Sequence, residues 1–326
     1  MDEAERTDSS VLFAELEAVA AEAHRPVPVR HYGQWVSAAV VAVLFAMLVH
    51  TLITNPGFDW GVVGHYFGKT IILRGLWLTI ELTIVSMAIA IALGIVLAVM
   101  RVSPNPVLSG ASSLYIWFFR GTPLLVQIIF WFNLASLFPR LSFGVPFGPR
   151  LVTVGTNTII TTWVAAVVSL SLNEAAYMAE IVRAGILSVN EGQIDAAQAL
   201  GMSRVRTMRR IILPQAIRVI IPPTGNEFIG QLKNTSLVSV IGLMELLTTV
   251  EVIYEATFQT IPLLLVAALW YLVVTTVLSI GQSYIERHFS RGSSRARPPT
   301  FFQQVRKNFL TIHAGASPNL AGHHGQ

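Results

Sequence analysis

Six ionisable side chains stand inside otherwise apolar stretches of this sequence: Glu81, Arg120, Glu174, Glu180, Glu227 and Lys233. A charge at bilayer depth is costly and normally faces a bundle interior or a water-filled cavity, so each marks a place where something polar is held or passed. The densest group is Asn226-Glu227 with Lys233-Asn234-Thr235-Ser236. A zwitterionic solute offers one carboxylate and one ammonium. Lys233, with the amide and hydroxyl donors of Asn234, Thr235 and Ser236, suits the first, and Glu227 suits the second. The opposing reading is a Glu227–Lys233 pair that only neutralises itself, although six residues apart they are not neighbours on a regular helix. Arg120 and Glu174 join the pathway candidates. Glu81 with Arg120, and Glu180 with Arg183, are also open to purely structural pairing.

Other chemistries find no residues to carry them. Cysteine is absent, which excludes disulfides, thiolate metal sites and thiol nucleophiles. The histidines are scattered at 24, 31, 50, 65, 288, 313, 323 and 324, and His323-His324 reads as part of a solvated tail. A Gly-x-x-x-x-Gly-Lys-Ser/Thr phosphate loop is also missing. The chain is therefore expected to hold no metal and no cofactor and to catalyse no reaction itself. The basic balance needs no nucleic acid partner, because topology accounts for it below.

The polar segment from Ser188 to Pro214 is a different kind of site. Ser188 with Glu191 has the spacing of a capping box, and helix formers run from Glu191 to Leu200. Gly201 stands where a left-handed cap is wanted, and Ser203 opens a second helix, Arg204 to Leu213, ended by Pro214. The expectation is a helix–Gly–helix elbow. Ile194, Ala197 and Leu200 would form one shallow apolar face, with Arg204, Arg206, Arg209 and Arg210 on the second helix. Such an elbow either lies on the bilayer with its arginines reaching phosphates or docks on a partner.

The elements that position these residues are membrane spans. Of 326 residues 53% are hydrophobic and 12% charged, at a mean hydropathy of +0.60, where a soluble domain carries about 25% charged residues. The fold class expected is all-α, a polytopic helical membrane protein of about six transmembrane helices with a cytoplasmic elbow. Spans are read at about Gln34–Thr54, Gly75–Met100, Ser113–Leu137, Thr158–Val182, an interrupted one between Arg218 and Glu245, and Ile261–Ile285. Pro222-Pro223 and Gly225 suggest that the fifth is broken and lines a cavity. The Phe138–Asn157 connection, with Pro139, Pro146 and Pro149, reads as a turn-rich loop. Residues 1–33 form an acidic tail in which Val11–Val19 suits a short amphipathic helix, residues 34–54 an extra first span, and residues 289–326 a basic, disordered tail.

Lys and Arg number sixteen in the two tails, at Arg101 and across Arg183–Arg218, against four in the opposite loops at Lys69, Arg74, Arg140 and Arg150. By the positive-inside rule both termini and the elbow face the cytoplasm of a bacterial inner membrane protein. The Arg291–Lys307 cluster is a topology signal that also suits anionic lipid.

Asp195-Ala196-Ala197, Gly201, Ile211, Leu213 and Pro214 keep the spacing of the Glu-Ala-Ala loop of binding-protein-dependent ABC permeases, with Asp195 one methylene shorter than that pattern's Glu. Phe118–Gln127, Ala176–Gly185 and Gly225–Leu237 resemble the polar amino acid branch of that family. The resemblance covers residues 73–288. It implies a permease subunit that pairs with a second copy or a related permease, docks its elbow in a separate ABC ATPase holding ATP and Mg, and receives a polar amino acid from an extracytoplasmic solute-binding protein. Acidic, amide, basic and opine-like solutes stay open. An ion-gradient-driven transporter or channel is the alternative, and it has no use for the elbow.

Overall fold

The computed structural model describes residues 32–145 and 150–289. The Val11–Val19 segment, the Arg291–Lys307 cluster and His323-His324 lie outside the described residues. Helix α1, Tyr32–Thr54, belongs to a unit of its own, and everything described from Asn55 onward belongs to a second. It is apolar all round, as a lipid-facing span requires. The hydroxyls of Thr51 and Thr54 donate to the carbonyls four residues back, at 2.9 and 2.7 Å, so these donors are satisfied within the helix.

The second unit opens with a short turn and α2, Trp60–Phe67, whose first turn is capped by the Asp59 carboxylate. Helix α3 follows as Thr70–Arg101. Next comes α4, Pro106–Gly121, started by the Asn105 side chain and by Pro106 at the position where proline is best tolerated. Sequence reading expected one span over Ser113–Leu137. Instead α4 meets α5, Leu124–Phe132, at 101°. The cause is Thr122-Pro123: proline drives the residue before it to extended backbone, and Thr122 sits at φ −112°, ψ 141°.

After α6, Leu134–Leu137, the expected loop contains a hairpin, β1 Arg140–Gly144 antiparallel to β2 Arg150–Gly155, with a register shift at Phe143/Gly144. Alternating Leu141, Phe143 and Val152, Val154 supply the strand period that the prolines obscured. The Thr156 hydroxyl, at the start of α7, Thr156–Ile159, donates to the Phe138 carbonyl and closes the base of the hairpin.

Helix α8, Thr162–Leu187, is the axis of the unit and packs against α3, α4 and α5. Ala165, Ala166, Ala175, Ala176 and Ala179 are fully buried along it, so neighbouring backbones approach closely. At Gly94, which faces it from α3, a Cβ would lie 2.5 Å from the Met178 Cβ and 3.1 Å from the Ala179 nitrogen.

The elbow begins with α9, Glu191–Ala199, capped by Asn190 rather than by Ser188. The Ser188 hydroxyl is already committed to the Gly185 carbonyl at 2.7 Å. Gly201 takes φ +72°, the left-handed turn the sequence called for. Helix α10, Arg204–Thr207, runs through a π-helical turn, Met208–Ile212, into α11, Leu213–Asn234. Pro214 therefore does not end a helix, because the wider turn before it accommodates the missing donor. Nor do Pro222 and Pro223 break the fifth span, since α11 passes through both. Its neighbours α8 and α13 hold it on two sides, and Gln282 donates to the Pro222 carbonyl at 3.2 Å.

The interruption comes twelve residues after Pro223, in a 3-10 segment, Thr235–Ile241, ended by Gly242 at φ +72°. Helix α12, Leu246–Thr257, then continues at 46° to the preceding run, and α13, Thr260–Phe289, closes the unit. Among the described residues four helices, α1, α3, α8 and α13, are long and apolar enough to span a membrane alone. The six spans expected are reached when each bent pair counts as one.

Candidate functional site: a carboxylate-lined cavity and a polar elbow

The bend between α4 and α5 leaves carbonyls without helical partners, and two buried amides take them up. Gln127 Nε2 donates to the Phe119 and Thr122 carbonyls at 3.1 and 3.2 Å and to the Thr122 hydroxyl at 2.7 Å. Asn173 Nδ2 donates to the Phe119 carbonyl at 2.9 Å and to Gln127 Oε1 at 3.3 Å. The break is thus braced against α8, and Arg120, the last side chain before it, is held in place. Its guanidinium lies 5.1 Å from the centroid of the Tyr177 ring, a cation–π contact.

These groups wall a cavity of about 560 Å³ lined by Arg120, Thr122, Asn173, Glu174, Tyr177, Glu227 and Asn234. A second cavity of about 430 Å³ shares Arg120, Tyr177 and Glu227 and extends along Glu180, Ala184, Val219 and Pro223. Those residues step down α8 and α11 toward the elbow, so the two cavities adjoin, and the lower one has more apolar walls. At about 1.5 Å per residue, Glu174 and Glu227 each sit about 20 Å from the elbow ends of their helices, well inside a hydrocarbon core of about 30 Å.

Glu174 is 3% exposed, and its Oε1 has no hydrogen-bond partner among the described residues. Buried carboxylate oxygens are normally satisfied, so this oxygen is an acceptor left open on the cavity wall. Glu227 is half-buried on the facing helix.

The structure therefore brings together Arg120, Glu174, Glu227 and Asn234. It does not bring Lys233, Thr235 or Ser236 to this cavity. Lys233, one face round α11, lines a separate cleft with Asn226, Gln282 and Glu286. Thr235 is fully buried with its hydroxyl on the Leu232 carbonyl, and the Ser236 hydroxyl donates to the Lys233 carbonyl. The regular helix explains this, because α11 is unbroken where the sequence suggested loose backbone. Glu81 and Arg120 form no ion pair. The single ion pair among the described residues is Arg183 with Glu180, at 2.7 Å.

Sequence reading passed over Glu245, a fully buried carboxylate at the start of α12. Its signal was local, an acid followed three residues on by Thr248, whose N–H and hydroxyl it accepts at 2.8 and 3.1 Å.

At the elbow, Asp195, Ala196 and Gly201 are exposed, while Ala197 is buried and Ile194 packs against Val189, Ile212 and Ala216. Leu200, expected on the same face, is instead 82% exposed. It falls after the last full turn of α9, where the chain is already bending toward Gly201. Ile211 is half-buried, whereas Leu213 and Pro214 are exposed.

Residues 90–291 match the family described as binding-protein-dependent transport system inner membrane component. The arginine transport system permease protein ArgU of Corynebacterium glutamicum is 47% identical over 270 residues, covering 82% of this chain and 84% of that protein. The octopine transport system permease protein OccM of Rhizobium radiobacter is 40% identical over 227 residues, covering 69% of this chain and 86% of that one. A crystal structure of an amino acid ABC transporter with histidines superposes at a TM-score of 0.57 and 35% identity, covering 67% of this chain and 94% of its own. The bent spans and the cavity fall within the matched residues, as does the elbow, and the chain belongs to the binding-protein-dependent transport system inner membrane components as a polytopic permease subunit.

Proposed function

We propose that this permease carries a basic amino acid, with Glu174 and Glu227 meeting its two cationic groups and Arg120 its carboxylate. The observation that carries the reading is the unpartnered Glu174 Oε1 in a wall that also holds a second carboxylate and one guanidinium. A neutral amino acid brings one cation for two acids, whereas a basic one balances the set. The name of the arginine permease relative supports the same class. The route through Tyr177, Glu180 and Ala184 leads the solute toward the elbow.

Transport is ATP-driven in this reading. The elbow Glu191–Leu213, presenting Asp195, Ala196, Gly201 and Leu200, docks on an ABC ATPase subunit that holds ATP and Mg, and an extracytoplasmic binding protein delivers the solute. A second permease copy or a related permease completes the membrane part. Sixteen basic residues against four orient both termini and the elbow to the cytoplasm. The test is uptake by proteoliposomes holding permease, ATPase and binding protein together. Concentrative, ATP-dependent uptake of arginine, lysine or histidine is expected, and a preference for glutamine or glutamate overturns the substrate class. Because the native chain has no cysteine, a Leu200→Cys variant reports the side on which the elbow lies.

A further inference from the structure

Leu213 N–H reaches back five residues to the Met208 carbonyl instead of four, closing the π-helical turn Met208–Ile212. The next residue, Pro214, has no N–H, and its ring crowds the carbonyl four residues back, at Arg210. A wider turn moves that carbonyl aside and absorbs one residue more than a regular helix would. We infer that Pro214 holds this extra residue in the helix and thereby sets the rotational phase of the elbow stem about the axis of α11. The inference rests on the reading of the elbow as the ATPase-docking element.

Both sides of the turn are anchored, which is what gives phase a consequence. At its end and beyond, Ile212 and Ala216 are buried against Val189, with Ile194, Met208 and Ile220 packed around them. Gln215 donates to Gln193 Oε1 of α9 at 2.6 Å and to the Ile211 carbonyl at 3.0 Å. Before it, Thr207 is 4% exposed, while Val205 on the same stem is 69% exposed. A regular α-helix through the same residues would turn the stem by about 100° and slide it by about 1.5 Å. Thr207 would then leave its buried seat, and Val205 and Arg206 would exchange their outward directions for others. Pro214 is thus a positioning residue, which touches neither solute nor nucleotide.

The test labels Val205→Cys on the stem and Leu187→Cys at the end of α8, both exposed in a chain without native cysteine, and measures the distance between spin labels in purified permease. Pro214→Ala is expected to shift this distance by roughly 5 Å or more, given a helix radius with side chains of about 5 Å. The same variant should lower uptake by the full complex at least tenfold. Deleting the exposed Arg209 in the Pro214→Ala background takes out the extra residue, so both the distance and the uptake should return toward wild type. An unchanged distance in Pro214→Ala overturns the inference. A distance that shifts and returns while uptake stays at wild-type level upholds the phase inference and overturns the docking reading instead. Should Pro214→Ala fail to accumulate, deletion of Arg209 alone is expected to shift the distance, and an unmoved label overturns the inference equally.

Discussion

Tyr271 donates its phenolic hydrogen to Glu245 Oε2 at 2.9 Å, and Thr79 reaches the same oxygen from α3 at 3.2 Å. With Thr248 on the other oxygen, one buried carboxylate ties α3, α12 and α13 just after the Gly242 turn. Removing it strands the Tyr271 and Thr248 hydroxyls and a helix-start N–H, while Thr79 keeps the Gly75 carbonyl. Glu245→Ala is expected to cost about 2–4 kcal/mol of folding stability, measured by reversible unfolding in mixed micelles. Glu245→Gln, which keeps one acceptor oxygen for Thr248, should cost less. Equal stability of all three proteins would show that the network holds nothing together.

Glu174→Gln keeps the shape but removes the carboxylate that would meet a cation. Loss of one charge-assisted contact of about 1.5–3 kcal/mol should raise KM for a basic amino acid about 10- to 100-fold. The binding protein's own affinity should not move. Competition uptake in proteoliposomes separates the two, and an unchanged KM takes Glu174 out of the solute route.

Gly201 stands at φ +72° with open space where a Cβ would point. A side chain there clashes with nothing in the subunit but resists the left-handed turn by roughly 1–2 kcal/mol. Gly201→Asp is therefore expected to fold and insert normally yet lose solute-stimulated ATP hydrolysis in the assembled complex. Full stimulation in that variant would separate the elbow from coupling.

Gly94→Leu should fail to fold, since even a Cβ would press within 2.5 Å of Met178. Gly110→Leu, where no heavy atom lies within 4 Å of the Cβ position, is the matched control and should accumulate as wild type. Fluorescence size-exclusion profiles in detergent read both, and two identical profiles would contradict the packing argument.

Much of this molecule is legible in its sequence because hydrocarbon imposes a simple demand, long apolar helices, and Gly201 announces a turn that other residues resist. Local signals mislead where tertiary partners intervene. Pro222-Pro223 reads as a break, yet α11 continues because α8 and α13 support it. Thr122-Pro123 lies within an apolar run and reads as continuous, yet it turns the chain by 101° because Gln127 and Asn173 satisfy the exposed carbonyls. Of the pathway candidates, Arg120, Glu174, Glu227 and Asn234 converge, whereas Lys233 is turned away by 100° steps that only an unbroken helix enforces. Glu245 shows in the sequence only as a helix cap for Thr248, because its other partners Thr79 and Tyr271 are distant in the chain.

The seat of Gly94 against Met178 and Ala179 has a mechanical consequence. Two rods pressed backbone to backbone have no slack for sliding, so α3 and α8 travel as a single keel. Any swing that opens the route to one side of the bilayer has to be borne outside that pair. A stiff part of this permease is therefore made by its smallest residue.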